Sequence, residues 1–330
     1  MTTSVEPAVP ARRRTWRPSF APVGILAMLL AVLLFSSSST IVKWTGTPGS
    51  ALAFWRMLGA TVLWWILIVM RRATTGRPVP SLQTFKAVLP VGLLFGLNIA
   101  MFFTALGRTS IAHAEFINSL SPLVLIPLGA IVFHEQPDGR ALGWGALSLI
   151  GLAMVLFLGG TASGASWSGD LIVVMCVCTW AAYLMVGRRV RAHVDVVDFM
   201  ATMMPLGVLT AGPIALVLAG DDLWPLPMRG WVAVGLLSVL TGMFGHALIV
   251  FAQSEVDVGT IGIIQVAQPA LAIGWSFLIL GESVRVAQVP GMILVVVGLG
   301  AFTIVSQRRK SRPPVMVTID QDGELAGPAG

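Results

Sequence analysis

Asn118-Ser119-Leu120-Ser121-Pro122 opens an apolar stretch that ends at His134-Glu135. Gln265-Val266-Ala267-Gln268-Pro269 opens a second that ends at Gly281-Glu282. Pro122 and Pro269, Glu135 and Glu282, and Gly151 and Gly298 all stand 147 residues apart. On the same offset Asn118 maps onto Gln265 and Ser121 onto Gln268. Each copy therefore holds a polar pair one helical turn apart, just before a proline. These registered matches divide the chain into two related halves.

Working outward, the surroundings of both copies are apolar. The chain has 330 residues, 56% hydrophobic and 11% charged, with a mean hydropathy of +0.86. Soluble domains carry about 25% charged residues, so this chain lacks the charge to cover a water-facing surface. Uncharged apolar segments recur from residue 23 to residue 306. In a bilayer core the backbone must satisfy itself internally, which makes such segments helices. They do not alternate in polarity as barrel strands do.

The expected fold is an all-α integral membrane protein of ten transmembrane helices arranged as two inverted five-helix repeats. The first span runs from Val23 to Lys43. An arginine-rich start before Gly24–Phe35 also resembles a secretory signal peptide, but the repeat needs a first span here. The other spans fall near 50–70, 87–106, 111–133, 141–159, 171–187, 197–219, 230–252, 258–280 and 286–306. The expected divisions are a basic arm at 1–22, the first repeat at 23–160, the second at 170–306 and a solvated tail at 307–330. The longest connection, Arg71 to Lys86, reads as a cytoplasmic loop.

Charge orients the chain. The net charge is +6, yet Lys and Arg sit in short clusters between spans, which excludes a nucleic-acid surface. Sixteen of the 21 fall on the side of the termini, four (Lys43, Arg108, Arg229, Arg285) on the other, and Arg56 within a span. That asymmetry puts both termini in the cytoplasm of an inner or plasma membrane protein. Five spans per half is an odd number, so the second half is inverted. Inverted repeats are typical of secondary transporters, with the substrate site near the midplane at the repeat interface.

Cys176 and Cys178 sit two apart in one span and point in different directions, so neither a disulfide nor a metal site is expected. There is no His-Glu-x-x-His, no phosphate-cradling Gly-x-x-x-x-Gly-Lys and no Ser/His/Asp set, so no enzyme and no cofactor is expected.

The residues also carry a family resemblance. Ser119-Leu-Ser-Pro122 to Glu135, repeated as Val266-Ala-Gln-Pro269 to Glu282, resembles the EamA domain of the drug/metabolite transporter superfamily. Phe54-Trp55-Arg56-Met57 and Trp180-Ala-Ala-Tyr183 are similar to it as well. The likeness covers about residues 23–306. It implies a ten-helix carrier of small metabolites (amino-acid- or drug-like solutes), commonly an exporter working by alternating access. His113-Ala-Glu115 departs from the small apolar residues expected there. A second class, a non-transporting membrane sensor or assembly protein that kept the fold, would need a soluble domain larger than these tails.

Asn118, Ser121, Gln265 and Gln268 are the expected substrate-binding residues, with interhelical hydrogen bonding as the alternative. Asn98 and His246 occupy nearly matching places in the third and eighth spans and are further lining candidates. Trp180 and Tyr183 are three residues apart and could add an aromatic wall. Pro122 and Pro269 are expected helix breaks whose freed carbonyls could serve a ligand. Glu115 shares a helix face with Asn118, Ser119 and Pro122. It is a proton-coupling candidate or an interfacial acid; His113 shares that ambiguity. Arg56 either anchors at the outer interface, pairs structurally within the bundle, or meets an anionic substrate group. Glu135 and Glu282 are expected to serve loops or capping. Ser36–Thr40 and the pair Gly92/Gly96 are expected helix-packing sites. The expected partners are a small solute, protons as a candidate coupling ion, the lipid bilayer and a second copy of the chain in a candidate homodimer.

Overall fold

The computed structural model describes residues 21–109, 111–135, 138–158, 166–280 and 286–310. The regular elements among them are all helices. The first span is bent, with α1 (Ala21–Ser36) passing into α2 (Ser38–Thr45). The Ser36 and Ser37 hydroxyls donate back to the Leu33 and Leu34 carbonyls at 2.7 Å each. Such back-bonding competes with the helix ladder and bends it.

The rest of the first half is α3 (Gly49–Thr75), α4 (Leu82–Leu106), α5 (Ile111–Ser119), α6 (Pro122–Phe133) and α7 (Gly139–Leu158). The second half holds α8 (Trp167–Arg191), α9 (Val196–Ala219), α10 (Met228–Leu237) and α11 (His246–Ala252). It continues with α12 (Val258–Gln265), α13 (Gln268–Leu280) and α14 (Val289–Lys310). A π-helix at Ser238–Gly245 joins α10 to α11. Among the described residues eight helical stretches are long and apolar enough to cross a bilayer, and Gly139–Val155 and Val286–Phe302 are shorter apolar helices.

Some boundaries move from expectation. The Arg71–Lys86 connection is shorter than its sequence suggests, because α3 continues to Thr75 and α4 begins at Leu82. The Ser81 hydroxyl accepts the Thr84 N–H at 3.2 Å, which starts α4 early. At the far end, α14 extends to Lys310, into the stretch expected as tail. The basic arm, Glu282 and the rest of the tail lie outside the described residues.

Glycines set the closest helix approaches. A Cβ on Gly151 of α7 would lie 2.7 Å from Leu294 Cβ and 2.8 Å from both the Gly291 carbonyl oxygen and the Val295 nitrogen of α14. A Cβ on Gly298 would meet the Trp144 carbonyl and Ser148. Trp144 and Ser148 are the 147-residue mates of Gly291 and Val295. The two helices therefore exchange equivalent partners and run antiparallel. The fourth and ninth spans repeat this arrangement nearer the centre. Gly262 on α12 faces Leu125 and Pro122 of α6, and Gly259 faces Ile126. A third seam joins α4 to α9, where Gly92 fits against Leu206 and Gly96 against the Gly207 carbonyl and Thr210.

Candidate functional site

The two proline motifs break their spans in the same way. The fourth span stops as α5 at Ser119 and resumes as α6 at Pro122; the ninth stops as α12 at Gln265 and resumes as α13 at Gln268. Proline lacks an N–H and crowds the preceding turn. At the first break Leu120 N–H donates to Ile117 O and Ser121 N–H to Asn118 O, both at 3.1 Å. At the second, Val266 N–H donates to Ile263 O at 3.1 Å and Ala267 N–H to Ile264 O at 3.3 Å. The turns have tightened to i→i+3 bonding. The Asn118 carbonyl, released from the helix ladder, accepts Ser121 N–H with one of its two lone pairs.

A cavity of about 60 Å³ lies beside the crossing of the two breaks. Its polar lining is Arg56, Asn98, Glu115, Asn118, His246, Gln265 and Gln268, with Ser38 and Trp180. A pocket of about 10 Å³ adjoins it and adds Ser121 and Pro269. The structure thus brings together residues from both halves. Pro122 instead borders an apolar groove of about 300 Å³ with Leu123, Leu142 and Ile263.

Two opposite charges occupy this cavity. Arg56 on α3 is 2% exposed and Glu115 on α5 is 3% exposed. Both side chains are enclosed by neighbouring helices and do not reach outward from the protein. The Arg56 guanidinium stands 5.3 Å from the centre of the Phe103 ring, and its Nε has no hydrogen-bond partner. Glu115 has the Ser39 hydroxyl as its polar neighbour, while its Oε2 is buried without a partner. Among the described residues the two charges do not pair with each other. Burying an ion is costly unless it is compensated, and here each keeps a bare atom.

His246 begins α11, immediately after the π-helix. Its ring is packed edge-on between Phe35 and Phe95, at 4.6 and 4.4 Å. Nδ1 lies 2.7 Å from the Thr241 carbonyl, and Nε2 has no partner. The π-helix is a feature that periodicity alone does not reveal, and such turns often mark functional sites. Trp180 Nε1–H donates to Gln265 Oε1 at 3.1 Å, joining α8 to the ninth-span break. Asn98 borders the cavity, but its Nδ2 donates to Cys176 O at 2.7 Å and Thr179 Oγ1 at 3.0 Å. Its amide hydrogens are committed to holding α4 against α8.

Tyr183 is a correction. It is fully buried behind the cavity, 4.9 Å from the Trp180 ring and 5.5 Å from Phe95, and is not part of the lining. Nothing is described of the His113 side chain. Sequence reasoning missed Ser38 and Ser39, taken there as packing residues, and Phe35, Phe102, Phe103 and Ile249, which carry no polar signal. The serine run does pack as expected: Trp275 Nε1–H donates to Ser36 Oγ at 2.9 Å.

A duplicated helical membrane protein with a small, charged cavity at the crossing of two broken helices is a transporter-class architecture. The chain belongs to the EamA-like transporter family, which matches residues 22–157 and 167–304. It is 24% identical over 238 residues to the uncharacterized transporter YcxC of Bacillus subtilis (strain 168), covering 68% of this chain and 75% of that protein. It is 25% identical over 225 residues to the threonine/homoserine exporter RhtA of Salmonella typhimurium (strain SL1344), covering 66% and 72% respectively. A solved crystal structure is similar in fold, with a TM-score of 0.69 and 21% identity over 88% of this chain and 99% of that one. The protein is therefore a multi-pass membrane transporter, acting on a small molecule within the lipid bilayer.

Proposed function

We propose that this chain exports a small zwitterionic, amino-acid-like solute by alternating access between two inverted five-helix repeats, ten spans in all, with both termini cytoplasmic. The observation that carries this reading is the unpaired Arg56 and Glu115 in one cavity. A zwitterion presents a carboxylate to the guanidinium and an ammonium to the carboxylate, and so compensates both buried charges at once. His246 Nε2 and the amides of Asn118, Gln265 and Gln268 complete the polar wall; Phe102, Phe103 and Ile249 take the side chain. The cavity of about 60 Å³ must widen to admit any solute, and a small one asks for less widening than a drug-sized ligand of about 300–1,000 Å³. The relationship to a threonine/homoserine exporter supports the same choice. Glu115 is the site at which a proton exchanges for the solute's positive charge.

The test replaces Cys176 and Cys178, places a single cysteine at Asn118 or Gln265, and applies an impermeant thiol reagent from each face. Labelling of one site from both faces is expected. Labelling from neither would overturn the reading.

A further inference from the structure

Glu135 stands where a helix-end acid would cap a loop, yet the chain turns it inward. His134 adopts the left-handed conformation, with φ 55°, which few non-glycine residues take up, histidine being among those enriched there. That residue folds the chain back so that Glu135 N–H donates to the Gly129 carbonyl at 3.3 Å. A Cβ added to Gly129 would lie 2.5 Å from Glu135 Oε2. A left-handed turn and a missing side chain thus make room for one carboxylate.

That carboxylate joins three elements. Glu135 Oε1 accepts from Arg188 Nη1 at the end of α8 and from the Val258 N–H opening α12 at 3.2 Å. Arg188 in turn lies 4.6 Å from the centre of the Phe133 ring at the end of α6. The contact therefore bridges the first half to the second, on the face that carries both termini. It also ties the start of α12 to the end of α6, the two packed half-helices leading from the breaks to that face.

Beneath it lies a second layer. Gln253 and Tyr183 are both fully buried neighbours, and the Tyr183 hydroxyl and both Gln253 amide atoms lack a hydrogen-bond partner of good geometry among the described residues. A Cβ on Gly187, next to Arg188, would lie 3.3 Å from Gln253 Oε1. Along α8, Trp180, Tyr183, Gly187 and Arg188 thus form a column from the cavity to the Glu135 contact, about 12 Å long at 1.5 Å per residue. Unpartnered buried polar groups are costly in a static core, but water in an open path would satisfy them. The opposite side is thinner: a vestibule of about 320 Å³ reaches Phe103, which also lines the cavity.

We propose that the Glu135–Arg188–Val258 contact is the gate on the terminus-bearing face, and that Tyr183 and Gln253 line the path it closes. The proposal rests on the transporter reading above. Neutralising the carboxylate removes the ion pair and weakens the acceptor for Val258 N–H, so the inward-open state gains population.

The experiment follows a single cysteine at Asn118, in protein lacking Cys176 and Cys178, reconstituted in liposomes and probed from each face. Glu135→Gln is expected to raise labelling from the terminus-bearing face about tenfold relative to the opposite face. The charge-reversed pair Glu135→Arg/Arg188→Glu should return that ratio only part of the way toward the parent value, because it restores the ion pair but leaves Val258 N–H without its acceptor. Should Glu135→Gln fail to accumulate, Arg188→Lys carries the test, because it keeps the charge but loses the guanidinium fork. An unchanged ratio in the folded variants overturns the gate alone. A parent protein labelled at Asn118 from neither face overturns the alternating-access reading of this cavity itself.

Discussion

The two broken helices share a backbone plan and differ in chemistry. Each stops at a polar residue, tightens over two residues and resumes at or next to a proline. At the position where the first presents Glu115, the second presents Gly262, its 147-residue mate. Gly262 has no room for more: a Cβ there would lie 2.9 Å from Leu125 Cδ1 and 3.3 Å from Pro122 Cα. Arg56 likewise corresponds to Met203, a fully buried apolar residue. Duplication thus supplied a symmetric scaffold, while both membrane-buried charges of the site come from the first half. The second half answers with neutral groups, Gln265, Gln268 and His246.

That contrast can be broken in graded steps. Arg56→Gln should have the largest effect, because hydrogen bonds to a charged group contribute about 1.5–3 kcal/mol. About a hundredfold loss of zwitterion transport at low concentration is expected in proteoliposomes, with an uncharged analogue affected far less. Glu115→Gln removes the carboxylate that meets both the solute's ammonium and the proton, so it should lower solute exchange about tenfold and leave the remaining transport independent of a pH gradient. Transport equally dependent on a pH gradient in this variant would remove Glu115 from the coupling step.

Gly262→Ala addresses the scaffold instead of the charge. Overpacking of this kind costs about 1–3 kcal/mol, to be read as a lower unfolding temperature in detergent. The smallest effect belongs to Trp180→Phe, which deletes the bond to Gln265. Interhelical hydrogen bonds in membranes average about 0.6 kcal/mol, so about a threefold change in labelling at Asn118 is expected.

The scaffold was the more legible part. The 147-residue spacing marked the breaks, and Gly151 and Gly298 proved to be a reciprocal helix seam. Asn118, Gln265 and Gln268 were readable as lining because a polar pair before a proline in an apolar span points to a cavity or a helix contact, and Gln265 serves both. What escaped was whatever depends on the third dimension. Glu115 and Arg56 sit near span ends in sequence, where snorkelling is plausible, and only the helix crossings put them inside one cavity. Tyr183 shares a helix face with Trp180, yet the rings packed around it place it one layer deeper. The π-helix before His246 leaves no periodic trace, since one wide turn hardly alters a hydrophobic pattern. The inward course of Glu135 depends on a left-handed histidine, and although histidine is enriched in that conformation it adopts it too rarely for the sequence to show.

The Trp180–Gln265 bond has an optical consequence. The chain contains 11 tryptophans and one tyrosine, and Trp180 is the one tryptophan among the residues lining the cavity. Its indole N–H is held by a residue of the ninth-span break, and the lone tyrosine ring lies 4.9 Å away. The emission of the parent protein minus that of Trp180→Phe is therefore a spectrum of the cavity itself. A solute that displaces Gln265 would shift its colour, so occupancy becomes visible without a label.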